Sequence, residues 1–235
     1  MANDLIYSVA QKGSFADKAS MRARRCMYET LAKRVDLGGM RTVLDVGVTA
    51  DQGNIASNFF EKLYPYPERI TALSDQDASW MENVWPGLTF IQGDALAMPF
   101  ADNSFDLVFS SAVIEHVGGD ENQGCFLHEC FRVAKKHVFL TTPNRFHPVE
   151  FHTGLPFIHW LPKSMHRALL GMLGKSFFAS EEHLNLLTAN DLPRLLAAAR
   201  INAAKSEILS VRFGGFVSNL LLLLTKDVEH DSGQV

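Results

Sequence analysis

Short runs that are apolar at consecutive positions recur along this chain, each closed by a glycine or polar residues and separated from the next by a helical pattern. This alternation constrains the fold more than any other feature of the sequence. Residues 42–46 (TVLDV) form the first run, closed by Gly47; 69–73 (RITAL), 88–92 (LTFIQ), 105–110 (FDLVFS) and 137–141 (HVFLT) follow. Between them, 54–63, 77–84 and 122–134 read as helices, the first with Ile55, Phe59 and Leu63 on one face. A strand that is apolar at neighbouring positions must be covered on both faces. The pattern therefore predicts an α/β fold built on a doubly wound, mostly parallel sheet.

The flanks obey other rules. Residues 19–35 read as a helix with Met27, Leu31 and Val35 on its apolar stripe and Arg22, Arg25, Glu29 and Lys33 on a solvated face. Residues 188–200 read as a helix opening on Thr188-Ala-Asn-Asp191, a capping-box-like start that tolerates Pro193 in its first turn. Residues 208–213 and 217–225, around Gly214-Gly215, predict an antiparallel hairpin. Residues 143–183 fit no strand–helix–strand pattern. A chain of 235 residues can bury a full core, so 1–235 is expected to form one domain, with 1–40 as an N-terminal helical segment and 143–183 as an insert.

Charge and cysteine usage narrow the partners. With 22 basic and 26 acidic residues the net charge is −4, which argues against nucleic acid. Cys26, Cys125 and Cys130 have no paired spacing and read as reduced thiols in a cytoplasm. Residues 1–10 carry Asp4 and no basic start, unlike a signal peptide, and the leucine run 220–224 is too short to span a bilayer.

Open α/β sheets bind ligands outside the carboxyl ends of their strands. Those ends hold Asp45, Gly47, Thr49 and Asp51; Ser74 and Asp75; Asp94 and Ala95; and Ser110, followed by Glu115-His116. Carboxylates accept hydrogen bonds from ribose hydroxyls and from an exocyclic amine, and small residues let the backbone approach a ligand. No GxxxxGK[ST] is present, so these ends suit a nucleoside-like cofactor better than a polyphosphate.

Residues 43–117 resemble the class I S-adenosylmethionine (SAM)-dependent methyltransferases of the small-molecule, type 11 kind. LDVG at 44–47 resembles the family's first motif, and GDALAMPFADNSFDLVFSSAVIEHV at 93–117 resembles its next motifs almost position for position. The resemblance implies a seven-stranded Rossmann-like sheet, SAM as cofactor and a small-molecule acceptor. It implies that Asp45 and Gly47 shape the turn at the methionine part of SAM, that Asp75 contacts ribose, that Asp94 and Ala95 meet adenine, and that the Ser110 carbonyl meets the SAM amine. Glu115-His116 reads as support on the cofactor side. Thr49 and Asp51 stand where the family carries two further glycines, so either they crowd the cofactor or the loop is rebuilt. The family's acid after the second strand falls where Ser74 stands, one residue before Asp75.

In the family the acceptor site comes largely from the N-terminal helices and the insert after the fifth strand. Here that insert holds His147, His152, His159, His166 and His183 with Phe146, Phe151, Phe157 and Trp160. An apolar pocket with few polar groups is the usual small-molecule site. Histidine suits removal of a hydroxyl proton near neutrality, so the insert favours an oxygen over a nitrogen acceptor, with His152 preferred to His147 as the base. His147, Glu150 and His152 match no standard ligand spacing, so no metal is expected. The net-basic amphipathic segment 163–178 reads as a pocket lid in preference to a peripheral membrane contact. A SAM-binding protein without turnover, one dependent on a partner, and a methyltransferase acting on protein or RNA are the alternatives. The sequence says nothing of the oligomeric state.

Overall fold

The computed structural model describes residues 15–53 and 55–227. The reading of residues 1–10 lies outside them. The chain runs α1 (Phe15–Ala32), β1 (Val43–Val46), α2 (Phe59–Leu63), β2 (Ile70–Ser74), α3 (Met81–Val84), β3 (Thr89–Gln92), β4 (Phe105–Ser111), α4 (Asp120–Val133) and β5 (Ala134–Pro143). Then come α5 (Lys163–Met172), α6 (Ser176–Ala179), α7 (Asp191–Ala198), β6 (Lys205–Phe213) and β7 (Phe216–Thr225). The seven strands form one sheet in the order β3-β2-β1-β4-β5-β7-β6. All neighbours from β3 to β5 are parallel; β7 is antiparallel to both β5 and β6.

Alternation along each strand divides the core into two layers. Val43, Leu107, Phe109, Phe139, Leu221 and Leu223 face one way, against Met27 and Leu31 of α1 and Phe59 and Phe60 of α2. Leu44, Val46, Val108, Val138, Leu140, Leu222 and Leu224 face the other, against Phe126, Leu127 and Val133 of α4 and Leu192 and Leu195 of α7. The five-leucine run is thereby explained. Within β7 alternate leucines serve opposite layers, and β7 lies between two other strands. Stacked Phe60 and Phe109, with centroids 4.2 Å apart, lock α2 onto β4. Burying one such ring stabilises the fold by roughly 1.5–3 kcal/mol.

Three expectations about local structure are corrected. The helix expected over 54–63 is confined to Phe59–Leu63, because Asn58 takes a left-handed backbone (φ 47°) and binds the loop behind it, as described below. The helix expected over 188–200 starts at Asp191. Thr188 does not cap it as a side-chain acceptor; instead its N–H and hydroxyl both donate to the Asp191 carboxylate (2.8 and 2.7 Å). The amphipathic segment read over 163–178 is divided between two helices, α5 and α6. The strand order reverses between β1 and β4, which makes their carboxyl ends the switch point of the sheet. Among the described residues no helix is long and apolar enough to cross a membrane.

Candidate active site

Two groups of residues meet at the carboxyl ends of the strands. The first surrounds the turn after β1. Gly47 adopts φ +85° and donates its N–H to the Leu73 carbonyl (2.7 Å). A Cβ there would lie 2.2 Å from Val113 Cγ2, so the turns leaving β1 and β4 touch where only a glycine fits. The loop that lacks the family's further glycines is rebuilt by side chains. The Thr49 N–H donates to Asn58 Oδ1, and Asn58 Nδ2 donates back to the Thr49 carbonyl, each at 2.9 Å. Asp51 accepts from the Gly53 N–H (2.6 Å) and the Ser57 hydroxyl (3.0 Å). Its carboxylate thus organises the loop.

Asp45 is buried, and it pairs with buried Glu61 of α2. Burial raises the pKa of both, that of Asp45 the more strongly, with the Glu61 charge adding to it. Neither Glu61 oxygen has a donor, and two charged carboxylates buried side by side repel, so both are easier to protonate than free carboxyls. Asp45 therefore acts from beneath the turn. Asp75 is exposed at the end of β2, where its carbonyl accepts from Gln92 Nε2 (2.8 Å). Asp94 is exposed after β3 and one of its oxygens accepts from the Leu96 N–H (2.8 Å), next to half-buried Ala95. The Ser110 hydroxyl is turned into the sheet, onto the Val46 carbonyl (2.7 Å). These residues fit a cationic nucleoside cofactor such as SAM. The strand ends offer acids and a glycine backbone at the switch point, and no Lys or Arg stands in residues 45–53, 74–77, 93–95 or 110–116.

The second group lies where β4 and β5 end. Ala112 takes a left-handed backbone (φ 57°) and turns the chain back over the sheet through a short helical turn at Ile114–His116. Glu115 is fully buried there. One of its oxygens accepts from the Thr142 hydroxyl of β5 (2.9 Å) and the other, Oε1, has no partner. Burial pushes Glu115 up to about 7, against the opposing pull of His152. His116 Nδ1 meets the His183 carbonyl at 2.7 Å, and burial lowers His116 to about 3.

His152 enters from the insert. Its Nε2 lies 3.1 Å from His116 Nε2, and its Nδ1 lies 2.6 Å from Glu150 Oε1. Glu150 also accepts from the His152 and Thr153 N–H groups (2.8 and 2.7 Å). Burial pushes Glu150 up, but these bonds and the His152 charge outweigh it and hold the carboxyl at about 2. Burial would lower His152, and Glu150 more than reverses this, so its pKa is raised. Phe178 of α6 lies 6.1 Å from the His152 ring and helps to close this face.

His147 stands apart from the cluster. Its Nδ1 meets the Val149 carbonyl (2.9 Å), its ring stacks on Phe151, and its own carbonyl accepts from His159 Nε2 (2.7 Å). It pins the insert's turn. His166 and His159 are likewise buried within the insert. The sequence reading missed the partnership of Glu115, His116 and Glu150 with His152. The available signal was an acid–histidine pair at a strand end together with Glu-x-His in the following segment. The insert exposes Phe146, Phe157 and Trp160, and a cleft of about 330 Å³, which none of the cluster residues lines, opens between Asn144, Phe146, Thr188, Ser210 and Val217.

Residues 45–141 match the model of a methyltransferase domain family, Methyltransf_11. Solved structures repeat the whole architecture at low identity. The magnesium protoporphyrin IX methyltransferase of Synechocystis PCC 6803, with bound S-adenosylhomocysteine (SAH), superposes with a TM-score of 0.56 at 13% identity, over 92% of this chain and 90% of that one. The 1,6-didemethyltoxoflavin-N1-methyltransferase of Burkholderia thailandensis, with bound 1,6-didemethyltoxoflavin and SAH, gives 0.54 at 14%, over 89% and 79%. The N-methyltransferase NodS of Bradyrhizobium japonicum WM9, with SAH, gives 0.52 at 16%, over 87% of each. The match over residues 45–141 and the seven-stranded sheet around it are those of a SAM-dependent methyltransferase domain, with S-adenosylmethionine as its cofactor.

Proposed function

We propose that this enzyme methylates an oxygen of an apolar small-molecule acceptor, with His152 at the centre of the group that removes the acceptor's proton. One observation carries the reading: His152 is locked on Glu150 at 2.6 Å while its Nε2 faces His116 and Glu115 at the carboxyl ends of β4 and β5. An imidazole whose Nδ1 is fixed by a carboxylate presents Nε2 in one tautomer, as proton removal requires. Bound SAM supplies a methyl on a good leaving group: the acceptor oxygen's electron pair forms the C–O bond, the C–S pair stays on sulfur as SAH, and the acceptor's proton passes to the His152 cluster. The chain contributes alignment and exclusion of water. Asp75, Asp94 and Ala95 hold the nucleoside, the turn at Gly47 and Thr49 holds the methionine end over Asp45, and the Ser110 carbonyl receives the amine.

The small-molecule class is supported by the structural neighbours, two of which are named for small-molecule substrates. It is also supported by the insert's exposed aromatics, which suit an apolar ligand. We place the whole chain in one domain, with residues 143–183 covering the acceptor, and its setting in the cytoplasm, where its three free thiols stay reduced. The test uses SAM labelled with carbon-13 on the methyl group, incubated with pools of hydroxylated and of amine-bearing small molecules. A new methyl with the carbon shift of an ether or ester is expected. Label found only on nitrogen, or only in protein or RNA, overturns the oxygen assignment.

A further inference from the structure

We propose that Glu115, His116 and His152 hold a divalent transition-metal cation, with Glu150 and the His183 carbonyl fixing the two imidazoles from outside. This deepens the reading above and rests on it only in taking this cluster to face the acceptor. The ligand atoms of the three residues all lie within 4.8 Å of one another.

A carbonyl oxygen can only accept, so His116 must donate from Nδ1 to His183, and in its neutral form Nε2 is a lone pair. The Glu150 carboxylate likewise accepts from His152 Nδ1, and it takes two backbone N–H groups besides. Neutral His152 therefore also presents a lone pair at Nε2. Two lone pairs directed at each other across 3.1 Å repel, so the contact is held either by a proton on His152 Nε2, which Glu150 favours, or by a cation between the rings; the cation also gives the buried Glu115 oxygen its missing partner. Two ligand atoms bound to one cation at about 2.1 Å lie roughly 3.0–3.4 Å apart. Glu115 adds a carboxylate oxygen that is fully buried, lacks any partner, and lies 4.0 Å from His116 Nε2. Histidines with their Nδ1 held by a carboxylate and a backbone carbonyl are the usual outer arrangement of metal-bound imidazoles.

Charge agrees. Glu115 and Glu150 together carry two negative charges when ionised, which a divalent ion neutralises in a buried site. Arg24 of α1 acts on Glu115 through its charge, but its guanidinium donates to the Ala56 carbonyl. Two imidazoles and one carboxylate select zinc, iron, cobalt, nickel or manganese over magnesium or calcium. Three protein ligands leave positions open for a hydroxyl oxygen of the acceptor, whose proton a bound cation would make easier to lose; His152 Nε2 would then serve that proton loss as a ligand and not by taking the proton itself.

The test is a titration of chelator-treated full chain with Co²⁺, followed by visible absorption, with SAH binding measured on the same samples as a check of folding. We expect one Co²⁺ per chain, loss of at least 100-fold in affinity in His116→Gln and in His152→Gln, and a 10–100-fold loss in Glu150→Gln, whose side chain touches no cation. Wild-type protein that shows no cobalt spectrum, or histidine variants that bind Co²⁺ as tightly as wild type while retaining SAH, overturn the site. Full methyl transfer in chelator that is still lost in His152→Ala removes the cation and leaves the oxygen-methylation reading standing. Stoichiometric cobalt binding alongside nitrogen methylation does the reverse.

Discussion

Gly47 and Val113 show how closely the two halves of the sheet meet, since the turns leaving β1 and β4 are in contact at the switch point. Gly47→Ala should cost ~2–5 kcal/mol in urea unfolding, combining ~1–2 for a side chain in the left-handed region with ~1–3 for overpacking. Adding Val113→Ala should recover the packing part and leave the backbone part. The Asp45–Glu61 pair makes a second residue-scale prediction. Both carboxyls titrate above their unfolded values. Folding therefore retains a proton that the unfolded chain releases, and stability falls as pH rises above the usual carboxylate range. Glu61→Gln removes the conflict and supplies a fixed donor, so its melting temperature should vary less between pH 5 and 8, with the greater gain over wild type at pH 8. A wild-type curve flat over that span contradicts the raised carboxyls. At this scale Asp94 and Asp75 were readable as strand-end acids. Glu61 was not, because it joins Asp45 only once α2 lies on the sheet.

The loop after β1 belongs to the scale of elements. Sequence left two outcomes open, crowding or rebuilding, and the Thr49–Asn58 and Asp51–Gly53–Ser57 bonds decide for rebuilding. Restoring the glycines with Thr49→Gly/Asp51→Gly should therefore weaken SAM about 5–30-fold, because each glycine adds ~0.5–1 kcal/mol of backbone entropy to a loop that must be ordered. A tighter complex in calorimetry would mean that those side chains obstruct the ligand. Asn58's left-handed turn, invisible in a helical pattern of apolar residues, is also why that helix starts late. A second loop carries Asp94 and Ala95. Arg132 of α4 grips it through the Met98 and Phe100 carbonyls (3.1 and 2.7 Å), and Glu129 through the Met98 N–H (2.8 Å). Arg132 holds Glu129 by two bonds, at 2.6 and 2.8 Å, and those bonds lower the Glu129 pKa. A lowered carboxyl stabilises above its unfolded pKa, and that stability is lost as pH falls through the folded value. Arg132→Met should lower stability by ~1–3 kcal/mol at pH 7 and flatten that acid dependence in urea unfolding monitored from pH 6 to 3.

For the whole molecule, the sheet was legible because its strands are apolar on both faces, and β7 with its five leucines is the plainest case. The insert was not, because its order comes from long-range polar bonds: Arg145 to the His159 and Leu161 carbonyls, Lys163 to Asn185, and His116 to the His183 carbonyl. No local period announces such bonds. For the same reason the acceptor-side cluster could not be assembled from sequence: its members come from a strand end and from a turn 36 positions later. We propose that this cluster, and not the insert's other histidines, prepares the acceptor beside an intact cofactor site. The most direct test is single-turnover methyl transfer by His152→Ala and His147→Ala, with SAM affinity measured on the same proteins. A 10²–10⁴-fold loss in the transfer step is expected for His152→Ala with SAM affinity unchanged, and a near-normal rate with a lower melting temperature for His147→Ala. Wild-type transfer by His152→Ala, or a loss that only follows weakened SAM binding, would contradict it.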